Sequence, residues 1–310
     1  MSALISGSVA FDTIMVFRDR FKNHVLPEQV HILNVAFLVD ELRREFGGCA
    51  GNIAYNLMLL GERGLPLATV GKDFDKYSEW MKDWGVPQDY VRRYDDQYCA
   101  QAYITTDLDD NQITAFHPGA MNMAHEVSVP TNEGAKIGIV APNGRDGMIA
   151  HAQQFADAGI PFIFDPGQGL PMFNGEELLD FVNKATYMAV NDYESRMVQD
   201  RTGLSMDDLA KKLDALIVTR GGEGSDIYAN GETIHVDAVK PEDVLDPTGC
   251  GDAYRAGILY GLIKGLDWKT TGQIASLMGS IKVARSGTQN HHFTLEQFKG
   301  WYKQAFGESF

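Results

Sequence analysis

The feature that most constrains this chain of 310 residues is a rhythm in its apolar residues. Short, nearly continuous apolar runs at 3–9, 67–71, 137–141, 161–165, 187–191 and 216–219 alternate with amphipathic stretches at 51–60, 148–158, 176–184 and 206–213. A strand that is apolar on every residue must be covered on both faces. Helices lying between successive strands provide that cover. The pattern therefore predicts an α/β fold with a mainly parallel sheet between helical layers, joined by right-handed crossovers. Beyond Gly251 the reading is mostly helical, over 252–264, 270–284 and 295–306. Segments 13–46 and 98–117 break the rhythm with β-prone pieces, among them Gln112-Ile-Thr-Ala-Phe116 after a polar turn at 107–111. They predict a small second sheet, placed as a lid beside a cleft. No linker or repeat divides the chain, so residues 1–310 read as a single domain.

Composition narrows the function. Hydrophobic residues make up 44% and charged residues 22%, which suits a globular core and excludes disordered or fibrous classes. The net charge of −15 argues against nucleic acid and anionic membrane surfaces as partners. Three cysteines, Cys49, Cys99 and Cys250, form no CxxC pair and point to a reducing, intracellular setting. The N-terminus lacks a basic region before its apolar run. No stretch approaches the roughly 18 apolar residues of a membrane span. The expectation is a cytoplasmic protein.

The chemistry concentrates in Asp246-Pro-Thr-Gly-Cys-Gly-Asp-Ala-Tyr-Arg-Ala-Gly257, a polar glycine-rich loop running straight into an apolar helix. Glycines let backbone N–H groups converge, and a helix start adds partial positive charge, which together make an anion hole. Asp252 at its mouth has the chemistry of a general base acting on a hydroxyl that attacks a phosphate, or of a helix cap after a glycine turn. Asp12 can accept two hydrogen bonds from a vicinal diol, or cap a turn. Gly47 and Gly48 permit close approach of a ligand, with Asn52 one helical turn on. Asn191 and Glu194 follow a strand at its C-terminal end. They can serve Mg²⁺ directly or through water, or form a capping box. Phe11, Phe116 and Met121 can flank a base or belong to the core. Cys250 reads as a small residue that contributes its backbone, and Gly47-Gly-Cys49-Ala-Gly51 lacks partners for a nucleophile. His291-His292 has no zinc-spaced partners and is assigned to the surface or the nucleotide side.

Asp246-x-x-Gly249-x-Gly251-Asp252-Ala253-Tyr254-x-x-Gly257 resembles the C-terminal signature of the ribokinase-like (PfkB) carbohydrate and nucleoside kinases. Further landmarks follow in the family's order. Ser6-Gly7 with Asp12 resembles its opening strand, and Phe46-Gly-Gly-Cys-Ala-Gly-Asn52 its glycine pair and substrate asparagine. Asn191-Asp-Tyr-Glu194 is similar to its magnesium-linked NxxE motif, and Thr219-Arg-Gly221-Gly-Glu-Gly224 to its nucleotide loop. The strings 44–56, 116–121 and 287–289 are most similar to a bacterial-type adenosine kinase branch. Two departures stand out: Ser8 stands where the eukaryotic adenosine kinase pattern has asparagine, and 98–117 carries no arginine, which some family members use there.

The resemblance implies a ribokinase-like three-layer sandwich with a small β lid, and ATP-dependent phosphorylation of a nucleoside 5′-hydroxyl, adenosine first. A ribose or fructose kinase is the alternative, and a non-catalytic nucleoside-binding protein the remoter one. It further implies Asp252 as base, with the backbone of Gly249, Cys250 and Gly251 on the transferred phosphoryl group. Ser8, Asp12, Gly47, Gly48, Asn52 and Phe116 would hold the nucleoside, and Asn191, Thr219, Gly221, Gly224, Gly249 and Gly251 the ATP. Glu194 and Asn191 would serve Mg²⁺. Asp246 and Thr248, with carbonyls near Arg285 and Gly287, resemble positions for a monovalent cation such as K⁺. The resemblance also allows a homodimer through the lid.

Overall fold

The computed structural model describes residues 2–24, 34–109 and 111–310. Parts of two expectations, the 13–46 insertion at 25–33 and the 107–111 turn at residue 110, lie outside them. The chain opens with β1 (Ser2–Ser6), crosses to a second sheet for β2 (Ala10–Val16) and β3 (Glu41–Gly47), and returns through α1 (Cys49–Leu59) to β4 (Arg63–Gly71). After α2 (Asp75–Asp83) and β5 (Val91–Tyr94) it leaves again for β6 (Ala100–Thr106) and β7 (Gln112–His117). Alternation then resumes with β8 (Ile137–Val140), α3 (Arg145–Asp157), β9 (Phe162–Phe164), α4 (Gly175–Lys184), β10 (Tyr187–Asn191), α5 (Asp192–Thr202), α6 (Met206–Ala210) and β11 (Ala215–Thr219). A hairpin, β12 (Ser225–Ala229) and β13 (Glu232–Val236), precedes α7 (Cys250–Lys264), α8 (Trp268–Val283) and α9 (Leu295–Phe306).

The large sheet has the order β13-β12-β11-β10-β9-β8-β1-β4-β5. It is parallel from β5 to β11 and antiparallel only at the closing hairpin. Because side chains alternate across a strand, each strand feeds both layers. Ala3 and Ile5 enter the core beneath α1, α7 and α8, whereas Leu4 between them enters the core beneath α3 and α4. Ile163 against Phe162 and Phe164, and Ala189 against Met188 and Val190, divide the same way. This two-sided burial is what the unbroken apolar runs required. The small sheet has the order β3-β2-β6-β7, and all six residues of its edge strand β7 are exposed. The expected three-layer sandwich with a small separate sheet is the observed architecture.

Three expectations shift. The opening strand ends at Ser6, so Asp12 lies on the second strand and in the small sheet. The break comes at Gly7, where a Cβ would stand 3.0 Å from the Ala50 nitrogen and 3.1 Å from its Cβ. The small sheet accordingly begins at Ala10. Helix α5 was expected only as the capping-box alternative at Asn191 and Glu194, and α2, β5 and the β12–β13 hairpin were not anticipated: α5 starts directly after β10 with few apolar residues, and β5 and the outer face of β13 are largely exposed. Among the described residues, no helix is long and apolar enough to cross a membrane.

Candidate active site

The centre of the site is built where α1 and α7 begin, near the small sheet. Gly48 caps α1 at φ +84°, and a Cβ there would sit 2.5 Å from the Ser8 carbonyl oxygen. Only glycine allows that approach. The contact seats the helix start on Ser8, whose Oγ accepts the Cys49 N–H at 3.1 Å and whose carbonyl accepts that of Ala50 at 2.9 Å. A Cβ on Gly47 would stand 2.6 Å from an Asp12 carboxylate oxygen, so this glycine leaves the room that Asp12 fills. Ser8 thus holds backbone, a local reason for its hydroxyl.

One turn into α1, Asn52 is buried and donates from Nδ2 to the Asp252 carboxylate at 2.8 Å. Its Oδ1 accepts from Gln289 Nε2 at 2.9 Å, and Gln289 also binds Tyr77 and Trp80. Asn52 is therefore held at both ends with its amide aimed at Asp252. Asp252 is the third residue of α7, after Gly249, which caps the helix at φ +79°. The N–H groups of Gly251 and Asp252 have no acceptor within the helix by geometry, whereas that of Cys250 is spent on the Pro247 carbonyl at 3.1 Å. Of the expected anion-hole donors, the Cys250 amide is thus already engaged. Burial pushes the Asp252 carboxyl up to about 7, against the lowering effect of Asn52. The Cys49 thiol beside it is pushed well above its ordinary range, first by burial and then by Asp252 and Asp165.

Two residues that sequence reasoning missed stand behind Asp252. Arg255, one turn further along α7, forms a buried bidentate ion pair with Asp165 at 3.1 and 3.2 Å. The signals were present: an arginine inside a mostly apolar helix, and an acid at the end of an apolar strand. Glu194 feels the same group. Burial and then Asp165 raise its carboxyl. Asn191 and Glu194 form a complete capping box for α5, with bonds of 2.7 and 2.8 Å, so the bland reading of this pair is the geometry observed. Thr219 pairs in register with Asn191 across β10 and β11. The following turn needs Gly224 at φ +88°, where a Cβ would meet the Val236 carbonyl at 2.1 Å, while Gly221 at φ +53° faces open space.

The small sheet contributes one row. Glu45, Asp12, Ala102 and Phe116 are successive cross-strand partners and share a face. Arg43, two residues from Glu45 on that face, was also missed, and its guanidinium lies 3.9 Å from the Asp246 carboxylate. Phe116 is half exposed. Phe11 points the other way, buried against Phe46 and Tyr77, and belongs to the core. Burial, Asp246 and Glu45 together raise the Asp12 carboxyl to about 6. The Asp246 carboxylate accepts N–H groups from Thr248 and Gly287, each at 2.9 Å. His291 is buried rather than on the surface: its Nε2 meets Asn56 at 2.7 Å, and burial lowers its pKa to about 3. His292 is exposed. Among the described residues, no three His, Cys, Asp or Glu gather as a metal cage.

Known proteins match nearly the whole chain. The profile of the pfkB family carbohydrate kinases matches residues 9–294. The nucleoside kinase of Burkholderia thailandensis in complex with inosine superposes with a TM-score of 0.92 at 48% identity, covering 99% of each chain. The same protein in complex with ADP-inosine gives 0.89 at 50% identity, covering 99% of this chain and 97% of that one. The nucleoside kinase of Methanocaldococcus jannaschii is 32% identical over 260 residues, 83% of this chain and 85% of its own.

Proposed function

The chain belongs to the pfkB family of carbohydrate kinases, phosphotransferases with an alcohol acceptor, and from that premise we propose that it transfers the γ-phosphoryl group of ATP to the 5′-hydroxyl of a purine nucleoside. The observation that carries the nucleoside reading is the row on the small sheet. Asp12 can accept two hydroxyls of a ribose diol, and Phe116, two strands away on the same face, offers a ring to the base. A free sugar would use the carboxylate and leave the ring idle. Relatives support the reading: the B. thailandensis enzyme is a nucleoside kinase seen with inosine and with ADP-inosine. Adenosine and inosine are therefore the first two acceptors to test.

In this reading Asp252 takes the proton from the 5′-hydroxyl. Its carboxyl near 7 leaves a substantial ionised fraction at neutral pH and keeps the group basic enough to accept. Asn52 orients it, and Gly47 and Gly48 let the sugar approach the backbone. The N–H groups of Gly251 and Asp252 at the start of α7, with the αL turn at Gly249, receive charge on the transferred phosphoryl group. Arg43 reaches the Asp246 carboxylate from the small sheet, 3.9 Å away. Thr219, Gly221, Gly224 and Asn191 border the ATP at the ends of β10 and β11. Mg²⁺ would come with the ATP and would supply charge neutralisation at its phosphates. Glu194, raised by burial and by Asp165, sits where added positive charge is favourable and would act on the hydrated ion.

The test is ADP release with adenosine, inosine, ribose and fructose side by side. Turnover with the nucleosides and little with the free sugars is expected. Preference for ribose or fructose would assign a sugar kinase instead, and binding of nucleosides without ADP release would assign a binding protein.

A further inference from the structure

The last turn of helix α8 carries a lysine the reaction scheme does not use. Lys282 is fully buried, yet its Nζ donates to main-chain oxygens, the Asp246 carbonyl at 2.6 Å and the Arg285 carbonyl at 3.3 Å. The Asp246 carboxylate is meanwhile engaged by the amides of Thr248 and Gly287. Burial lowers the Lys282 pKa from its ordinary value, and the charged and titratable groups that act on the ammonium include Asp246, Cys250, Arg43, Asp252 and His291.

The two carbonyls belong to the two segments that build the reaction centre. The Asp246 segment leads into Gly249 and the unpaired N–H groups of α7. The Arg285 segment leads to Thr288, which bonds the Phe46 carbonyl, and to Gln289, which holds Asn52 against Asp252. One ammonium therefore ties the anion hole to the strut behind the base. These oxygens also lie among the positions whose resemblance suggested a monovalent cation. A K⁺ ion and an ammonium carry the same charge and suit the same carbonyl oxygens. A second unit charge beside a buried first one is strongly unfavourable. K⁺ does not fit this set of residues.

We propose that Lys282 is a built-in monovalent cation, a positioning residue whose ammonium takes the place of K⁺ between the Asp246 and Arg285 loops and makes phosphoryl transfer independent of added K⁺. This rests on the kinase reading, so the test has an arm that does not require turnover. Turnover with the best nucleoside, and separately Tm without substrate, are measured in K⁺, Na⁺, NH₄⁺ or choline chloride at equal ionic strength. The wild type should give the same turnover and Tm in all four. Lys282→Ala vacates the pocket and should lose about tenfold or more in kcat with nucleoside KM little changed. K⁺ or NH₄⁺, but not choline, should restore both its kcat and its Tm. Lys282→Met fills the pocket with an uncharged chain and should lose as much without restoration. Three results overturn the proposal: severalfold activation of the wild type by K⁺, a folded Lys282→Ala equally slow in every salt, or a fully active Lys282→Met. If neither variant folds, the wild-type series still decides. If the wild type phosphorylates no nucleoside, the kinase reading fails, and the Tm series alone reads the cation response.

Discussion

Asp252 is raised by burial, which disfavours its charge, and steadied by Asn52, which favours it. The balance near 7 has two consequences that one variant separates. Turnover should rise with pH through an inflection near 7. Asp252→Asn should remove that dependence and cost on the order of 10²–10⁴-fold in single-turnover rate, with nucleoside still bound. The second consequence is stability. The folded carboxyl titrates above its unfolded value, so its contribution is complete below about 4 and is lost as pH climbs through about 7. The Tm of Asp252→Asn should therefore exceed that of the wild type by a margin that widens from pH 5 to pH 8. A variant that turns over within a few-fold of wild type would leave Asp252 as no more than a helix residue. Asp12 makes a different prediction. Once protonated, below about 6, it loses part of its capacity to accept from a diol. Nucleoside KM should rise below that pH while ATP KM holds. Asp12→Ala should weaken nucleoside binding far more than ATP binding in calorimetry.

At the scale of elements, Gly48 shows what a glycine pair commits a chain to. An alanine there would be held at φ +84°, ψ 139°, which side-chain-bearing residues rarely adopt, at a cost of about 1–3 kcal/mol, with its Cβ 2.5 Å from the Ser8 carbonyl and 2.7 Å from the Ala10 nitrogen, both backbone. Gly48→Ala should lower Tm by several degrees and reduce turnover through a displaced Asn52. An unchanged melting curve would contradict the assigned contact. The same junction marks the limit of what the sequence discloses. The parallel strands other than β5 were legible because burial on both faces leaves an unbroken apolar run, which the partly exposed β5 lacks, and the start of α7 because glycines and an acid adjoin an apolar helix. The sheet to which Asp12 belongs was not legible, since a turn at Gly7 to Val9 looks like a continuing strand until Ala50 packs against it. Nor were the partners across long separations: Arg255 meets Asp165 over 90 residues and Gln289 meets Asn52 over 237. Local spacing carries no trace of such pairs. Asn191 and Glu194 teach the converse, because one spacing served both a ligand motif and a capping box.

At the scale of the whole molecule, the small sheet is joined to the large one by four chain crossings and has a fully exposed outer strand, β7. Two of the crossings pass through left-handed glycines, Gly48 at φ +84° and Gly119 at φ +48°. The row bearing Asp12 and Phe116 belongs to the small sheet, whereas Asp252 belongs to α7, packed under the large one. A substrate held by both must bridge the two bodies, and its binding energy is available to draw them together and exclude water from the transfer. Nucleoside should therefore slow amide exchange in β2, β6 and β7, three of the strands that carry this row, and leave β8 to β11 unchanged. ATP alone should slow exchange near Thr219 to Gly224 and at the start of α7 without protecting β7. Exchange that slows on nucleoside addition only around 249–257, with β6 and β7 unaffected, would mean that the small sheet is a fixed wall and that the nucleoside meets Asp252 without closure.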